Sequence, residues 1–510
     1  MISASSQRRI RLALVMLLLA AFALQLVAMF STTSVAKASA PSQTSTIPNT
    51  DLDPYGVNTF LDKEVEYWKK ERTMQMINQA GIKSIKQLFA WNEIEFKKGY
   101  FYDDKNKKSS WQKYDEIVDL ASKYGIRVVA RIDQTPAWAN PAGNKPNGRP
   151  ANFQDYADFL KAFVQHYKGK VQYIQVWNEP NLEREWIPGQ PVQPTQYVDM
   201  LKTAYTSIKA ADPAVKVMAA PLAITLEETV NLSELTYLDR MYKAGAKKYF
   251  DIMPANAYGL EHTPEDAPDP SKLNFRRVEL LHNVMVKNDD ASKAVWFNEF
   301  GWNASPLSIP KDKLTWGRVT EQQQAQYTVD AINYAKKNWP WFGVAFIWYF
   351  RQVGDIPDTA SEQYFQLVTK DFQPKPVYTE VKKAALAYLV QQGQPTPVPV
   401  TPPVPATSTP VPSGSVTSGA AATTAASTDT TAGATTGATV AATTSATTAS
   451  VTATVASTTP AATPTPAGTA GANNSSSGDN SSIIFVIIGA ILVLGAGGGL
   501  AYWLSQQRRT

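Results

Sequence analysis

Eight short apolar runs recur through the middle of the chain, and segments with helical spacing separate them. The runs are Tyr55–Asn58, Ser84–Leu88, Arg127–Arg131, Tyr173–Trp177, Lys216–Ala219, Asp251–Ala255, Ala294–Asn298 and Gly343–Trp348. Between them, Tyr197, Leu201, Ala204, Tyr205 and Ile208 fall on one helical face, and so do Tyr327, Ala331, Ile332 and Ala335. Alternation of this kind fits a parallel sheet whose strands are joined by helices. An open doubly wound sheet would alternate too, but no Gly-rich phosphate loop follows the first run. The expected fold class is therefore α/β, a (β/α)8 TIM barrel over residues 51–393.

Composition removes several function classes. With 49 basic against 44 acidic residues the net charge is only +5, and no basic stripe interleaves with aromatics, so nucleic acid is not an expected partner. The chain has no cysteine, which excludes disulfides, thiolate catalysis and Cys-based metal sites. Its histidines, His166, His262 and His282, are far apart, so neither a metal nor any other cofactor is expected. Aromatics make up 11% of the residues, with 13 Trp and 22 Tyr, which suits a surface that stacks on sugar rings as well as a large core.

Both ends differ from the middle. Arg8, Arg9 and Arg11 precede an apolar run from Leu12 to Phe30, and small residues follow at Ala36, Ala38 and Ala40. Residues 1–40 thus read as a signal peptide or an N-terminal anchor. Residues 394–480 turn to Thr, Ala, Ser, Pro and Val without an apolar face, which predicts a disordered, extended stalk. Residues 483–504 are apolar and uncharged, and Arg508 and Arg509 follow them. That pattern predicts a C-terminal transmembrane helix with the globular domain outside. The oligomeric state is not legible in the sequence.

Two runs end alike. Tyr173–Trp177 leads into Asn178-Glu179-Pro180-Asn181, and Ala294–Phe297 leads into Asn298-Glu299-Phe300-Gly301-Trp302. In a parallel barrel, groups at the C-terminal strand ends open into one cleft. Two carboxylates there are what glycosidic hydrolysis needs, one to donate a proton and one to attack the sugar. Glu183 and Glu185, in the loop after the first pair, are expected at the surface.

These two motifs, 120 residues apart (299 − 179), resemble those of clan A of the glycoside hydrolases. The resemblance covers roughly residues 51 to 393. It extends to Phe89-Ala90-Trp91-Asn92-Glu93, similar to the clan's loop after strand two, and to Ile347-Trp348 at strand eight. It implies a retaining β-glycosidase with Glu179 on strand four as general acid/base and Glu299 on strand seven as nucleophile. It further implies that Asn178 holds the sugar's 2-hydroxyl, that Tyr258 hydrogen-bonds the nucleophile and that Trp348 forms the floor beneath the sugar. Trp91, Trp138, Trp186 and Trp302 are expected to line the cleft. Two positions depart from the clan pattern. Lys86 stands where an Arg usually lies near the nucleophile, and a Lys lacks the bidentate fork, so looser orientation of Glu299 is expected. Asn256 stands where many members have a His. The resulting expectation is an exported, membrane-tethered enzyme acting on a β-linked polysaccharide or oligosaccharide. A carbohydrate-binding surface protein on a degenerate barrel and an envelope-glycan transglycosylase remain open alternatives.

Overall fold

The computed structural model describes residues 47–140 and 147–398. The N-terminal signal or anchor, the stalk beyond residue 398 and the C-terminal transmembrane span all lie outside the described residues. Among the described residues no helix is long and apolar enough to cross a membrane.

Eight parallel strands close into a barrel. They are β1 (Tyr55–Thr59), β2 (Ser84–Ala90), β3 (Arg127–Asp133), β4 (Tyr173–Val176), β5 (Lys216–Met218), β6 (Ile252–Tyr258), β7 (Ala294–Gly301) and β8 (Phe342–Ile347). Each sequence run lies on one of them, with ends shifted by a few residues. A helix follows every strand: α1 (Tyr67–Gln79), α2 (Gln112–Lys123), α3 (Phe153–His166), α4 (Pro194–Ala211), α5 (Glu234–Lys243), α6 (Arg277–Lys287), α7 (Glu321–Asn338) and α8 (Pro376–Gln391). The sheet closes where β1 pairs with both β2 and β8. A small hairpin, Tyr102–Asp103 with Lys108–Ser109, decorates the β2–α2 connection.

The helix starts carry their own local signals. Asn152 and Ser233 cap α3 and α5 through their side chains, Thr320 and Gln323 form a capping box at α7, and proline opens α4 and α8. The faces read from spacing are the buried ones: Tyr197, Leu201, Ala204 and Ile208 on α4, and Ala331, Ile332 and Ala335 on α7.

Burial is two-sided. One large cluster joins the strands to the surrounding helices. A second draws Val129, Tyr173, Met218, Ile252, Trp296, Val344 and Phe346 from six strands, so these side chains share the barrel interior. The segment before β1 packs against that cluster through Ile47 and Leu52, and Asn49 accepts a hydrogen bond from the Trp296 indole on its carbonyl. With the interior filled in this way, the strand ends at the opposite mouth are left to carry polar groups.

Candidate active site

β4 stops at Val176, and the chain turns sharply before it reaches the first glutamate. Trp177 and Glu179 both adopt left-handed φ values, 76° and 41°, on either side of Asn178. Such a conformation is unfavourable for residues with a Cβ, so surrounding contacts must hold it. The Glu179 N–H donates to the Pro221 carbonyl at 3.0 Å, and the Glu179 carbonyl accepts from Leu182 N–H at 3.0 Å. Asn181 then ties this turn to the loop after β5, donating to the Ala223 and Leu232 carbonyls and accepting from Ala223 N–H.

Glu299 is placed differently, within β7 itself. The β6–β7 register pairs Ala255 with Phe297 and then Asn256 with Glu299, so Asn298 is an extra residue, a bulge. The bulge is supported across the barrel, where Asn58 on β1 donates to the Asn298 carbonyl at 3.1 Å.

Asn256 joins the two carboxylates. It is the registered partner of Glu299, and its Nδ2 donates to Glu179 Oε1 at 2.6 Å. Glu299 is held on both oxygens. Lys86 Nζ lies 2.9 Å from Oε1, and the Tyr258 hydroxyl donates to Oε2 at 3.0 Å. Arg131 on β3 adds a guanidinium 3.9 Å from Oε1, itself anchored at 2.6 Å by Asp133.

The electrostatics of the two glutamates differ. Burial pushes the Glu179 carboxyl up to about 7, and the charge of Glu299 adds to this against the opposing pull of Arg184, Arg131 and the Asn256 amide. Burial also pushes the Lys86 ammonium down to about 8, although Glu299 favours its charge. Burial opposes the charge on Arg131 as well, but Asp133, Glu299 and Glu185 outweigh it and keep the guanidinium ionised. The Tyr258 hydroxyl is driven far above its ordinary range, first by burial and then by Glu299, and so stays a donor.

The cleft is therefore built from Glu179, Glu299, Lys86, Tyr258 and Asn178, all named by the sequence, with Arg131 and Asn256 added. Asn178 is buried, and its Oδ1 has no hydrogen-bond partner. The orientation of Glu299 is not loose. A lysine at the arginine position is backed by an arginine from the next strand.

The tryptophans divide. Trp348 is half-exposed at the end of β8, edge-on to Phe60 with centroids 5.4 Å apart. Trp316, which no periodicity marked, sits 3.8 Å from the Tyr258 ring centroid and is also half-exposed. Trp138 is half-buried and donates to the Glu95 carbonyl. Trp91, Trp186 and Trp302 correct the sequence reading, because all three are buried in the core. Trp91 packs on Phe159 and Tyr156, Trp186 against Trp177 and Tyr197, and Trp302 against Phe275, Phe300 and Tyr327. None of the three has a face free to meet a ligand. Glu185 is a further correction. It was expected at the surface, but its side chain is only 15% exposed, and of its loop neighbours Arg184 is the exposed one.

Among the described residues no group of three His, Asp or Glu side chains is arranged to hold a metal ion.

The cellulase model of glycosyl hydrolase family 5 matches residues 46–230, from β1 through β5, and so includes Glu179. Among solved structures, a family 39 glycoside hydrolase from the gut symbiont Bacteroides cellulosilyticus WH2 shares the fold at 21% identity, with a TM-score of 0.51 over 65% of this chain and 64% of that one. The chain thus shares its barrel fold with glycoside hydrolases, and its first five strands match the family 5 model. This chain spans just under two thirds of the length of the Bacteroides enzyme. A monomeric beta-xylosidase from Caulobacter crescentus CB15 is also similar, at 17% identity and a TM-score of 0.47 over 65% of this chain and 67% of that one. No curated protein matches the chain. Within this barrel, the site just described occupies the C-terminal strand ends, where TIM-barrel enzymes place their chemistry.

Proposed function

We propose that this protein is a glycoside hydrolase, a retaining β-glycosidase with Glu299 as nucleophile and Glu179 as general acid/base, acting on a β-linked polysaccharide or oligosaccharide. One observation carries the reading. Two buried carboxylates meet across Asn256, one held against an ammonium and a phenol, the other with its carboxyl pushed up to about 7. That asymmetry divides the labour between acid and nucleophile.

In the first step Glu179 gives its proton to the glycosidic oxygen while a Glu299 oxygen bonds to the anomeric carbon and the leaving group departs. The two carboxyls need a separation of ~5–5.5 Å for this. Covalent attachment neutralises Glu299. The repulsion that favoured the proton on Glu179 then disappears, so Glu179 becomes the base that takes a proton from water. Lys86 and Arg131 set positive charge beside the Glu299 oxygen, which favours its return as a leaving carboxylate in the second step. The unpartnered Oδ1 of buried Asn178 suits a sugar hydroxyl, and Trp348, with Trp316 and Phe60 nearby, offers ring faces at the mouth. In this reading the domain is exported and tethered to the cell membrane by the stalk and the 483–504 segment; fractionation with and without that segment tests it.

Azide distinguishes the two roles. Glu179→Ala retains turnover of aryl β-glycosides with good leaving groups, and azide accelerates it with retained product. Glu299→Ala abolishes turnover, and azide does not restore retained product. Full activity of Glu179→Ala on natural glycans would sink the assignment. Adding an acceptor sugar separates hydrolysis from transfer, and no turnover on any β-glycoside would favour a binding protein.

A further inference from the structure

The loop after Glu179 brings a third carboxylate to the cleft. Glu185 lies six residues on, in a short turn at Glu183–Glu185. Its side chain is 15% exposed. The loop is drawn inward by the buried Trp177 indole, which donates to the Glu185 carbonyl at 2.8 Å. Arg184, beside it, spans two acids. One of its guanidinium nitrogens lies 3.9 Å from Glu179 Oε2 and another 3.7 Å from Glu185 Oε1. Arg131 and Asp133 face Glu185 from β3. Glu179 is faced by Glu299 of β7, Arg131, Arg184 and Asn256, with Lys86 of β2 and Tyr258 of β6 also interacting with it.

A guanidinium shared between two acids helps each less than one held by a single acid. The Arg184 side chain is half in solvent, so its pull is screened, while the two carboxyls it spans are buried.

We propose that Glu185, acting through Arg184, is a positioning residue that holds Glu179 in its protonated, acid-competent form. The proposal rests on the assignment of Glu179 as acid/base and deepens it. Burial, followed by the charge of Glu179, also pushes Glu185 up to about 7. Glu185 touches no reacting atom in this scheme.

Two substitutions move Glu179 in opposite directions. Glu185→Gln removes one negative charge and leaves Arg184 to Glu179 alone, so Glu179 loses its proton at lower pH. Arg184→Met removes the shared cation, so Glu179 keeps its proton to higher pH. The Glu179 titration is read without any substrate by difference infrared spectroscopy, as the carboxyl band that Glu179→Gln removes. The expected midpoint falls by about one pH unit in Glu185→Gln, rises by about as much in Arg184→Met and returns towards wild type in Glu185→Asp. With aryl β-glycosides, the basic limb of kcat/KM moves with it. A midpoint unmoved by both substitutions overturns the proposal, even if activity drops. Because Arg184 is an exposed side chain, its variant decides the matter if Glu185→Gln fails to fold. Absence of turnover in the wild type would instead refute the glycosidase reading, while the infrared titration would still decide the coupling.

Discussion

Lys86 Nζ lies 2.9 Å from Glu299 Oε1, and both side chains are shut away from solvent. Within this pair the cation, rather than any bidentate geometry, favours the ionised carboxylate, and Arg131 stands behind it at 3.9 Å. Lys86→Met leaves only the more distant cation. The carboxylate that attacks and later departs then loses its nearest positive charge, so kcat/KM falls roughly 10²-fold. Steady-state kinetics on an aryl β-glycoside measure this. An unchanged kcat/KM would mean that Arg131 is sufficient.

Asn256 acts on the other glutamate. Its amide donates to Glu179 Oε1 at 2.6 Å and so favours the charged carboxylate. Asn256→Ala removes that donor, and the basic limb is expected to shift to higher pH by about one unit. The sign is opposite to that of Glu185→Gln, so the two variants together bracket the wild-type profile.

Stability also follows the Glu179 proton. The carboxyl titrates near 4.5 in an unfolded chain and is pushed up to about 7 in the fold. The folded protein thus binds a proton that the unfolded chain has already released. The associated stabilisation is fully present below about 4.5 and is lost as pH rises through about 7. Glu179→Gln keeps the shape but not the charge. It should melt above wild type at about pH 8, by up to about 3 kcal/mol, with the gap closing towards about pH 5. Thermal scans at the two values test this, and a variant equally stabilised at both would contradict it.

Gly259 couples the core to the site. A Cβ built there would lie 1.9 Å from the Trp302 ring, which has no room to retreat. Gly259 directly follows Tyr258, the donor to Glu299. Gly259→Ala should cost about 3 kcal/mol in denaturant unfolding. Adding Trp302→Leu should recover part of that loss, because the clash is pairwise. Independent, additive losses would place the strain elsewhere.

All eight strands and both glutamates were legible because each leaves a local mark: an apolar run, or an Asn-Glu pair at its end. What each side chain faces was not. Parallel barrel strands are buried on both faces, so their residues do not alternate in polarity and the phase is lost. A tryptophan near a strand end therefore reads the same whether it stays partly exposed, as Trp348 does, or is buried in the core, as Trp91 and Trp302 are. Arg131 was hidden for a related reason. The apolar run ends at Arg131, whereas the strand continues to Asp133 and carries the guanidinium to Glu299. Glu185 was assigned to the surface by its loop position. Only the fold reveals the indole bond that draws that loop inward. Asn256 was visible solely as a departure, and its hydrogen bond to Glu179 gives that departure a role.

The asparagine at 256 has one more consequence. The three histidines have their partners elsewhere: His166 on Trp111 and Asp115, His262 on Asp266, and His282 on Trp341. No imidazole contacts either glutamate among the described residues. A histidine donor at Asn256 would switch its own charge near neutrality, and the bond it gives would change character just where the acid must work. A carboxamide does not ionise. The site thus keeps the same donor from acid to alkaline solution, and the raised Glu179 carboxyl is left to burial, with the charge of Glu299 added, rather than to a neighbouring group that titrates in the same range.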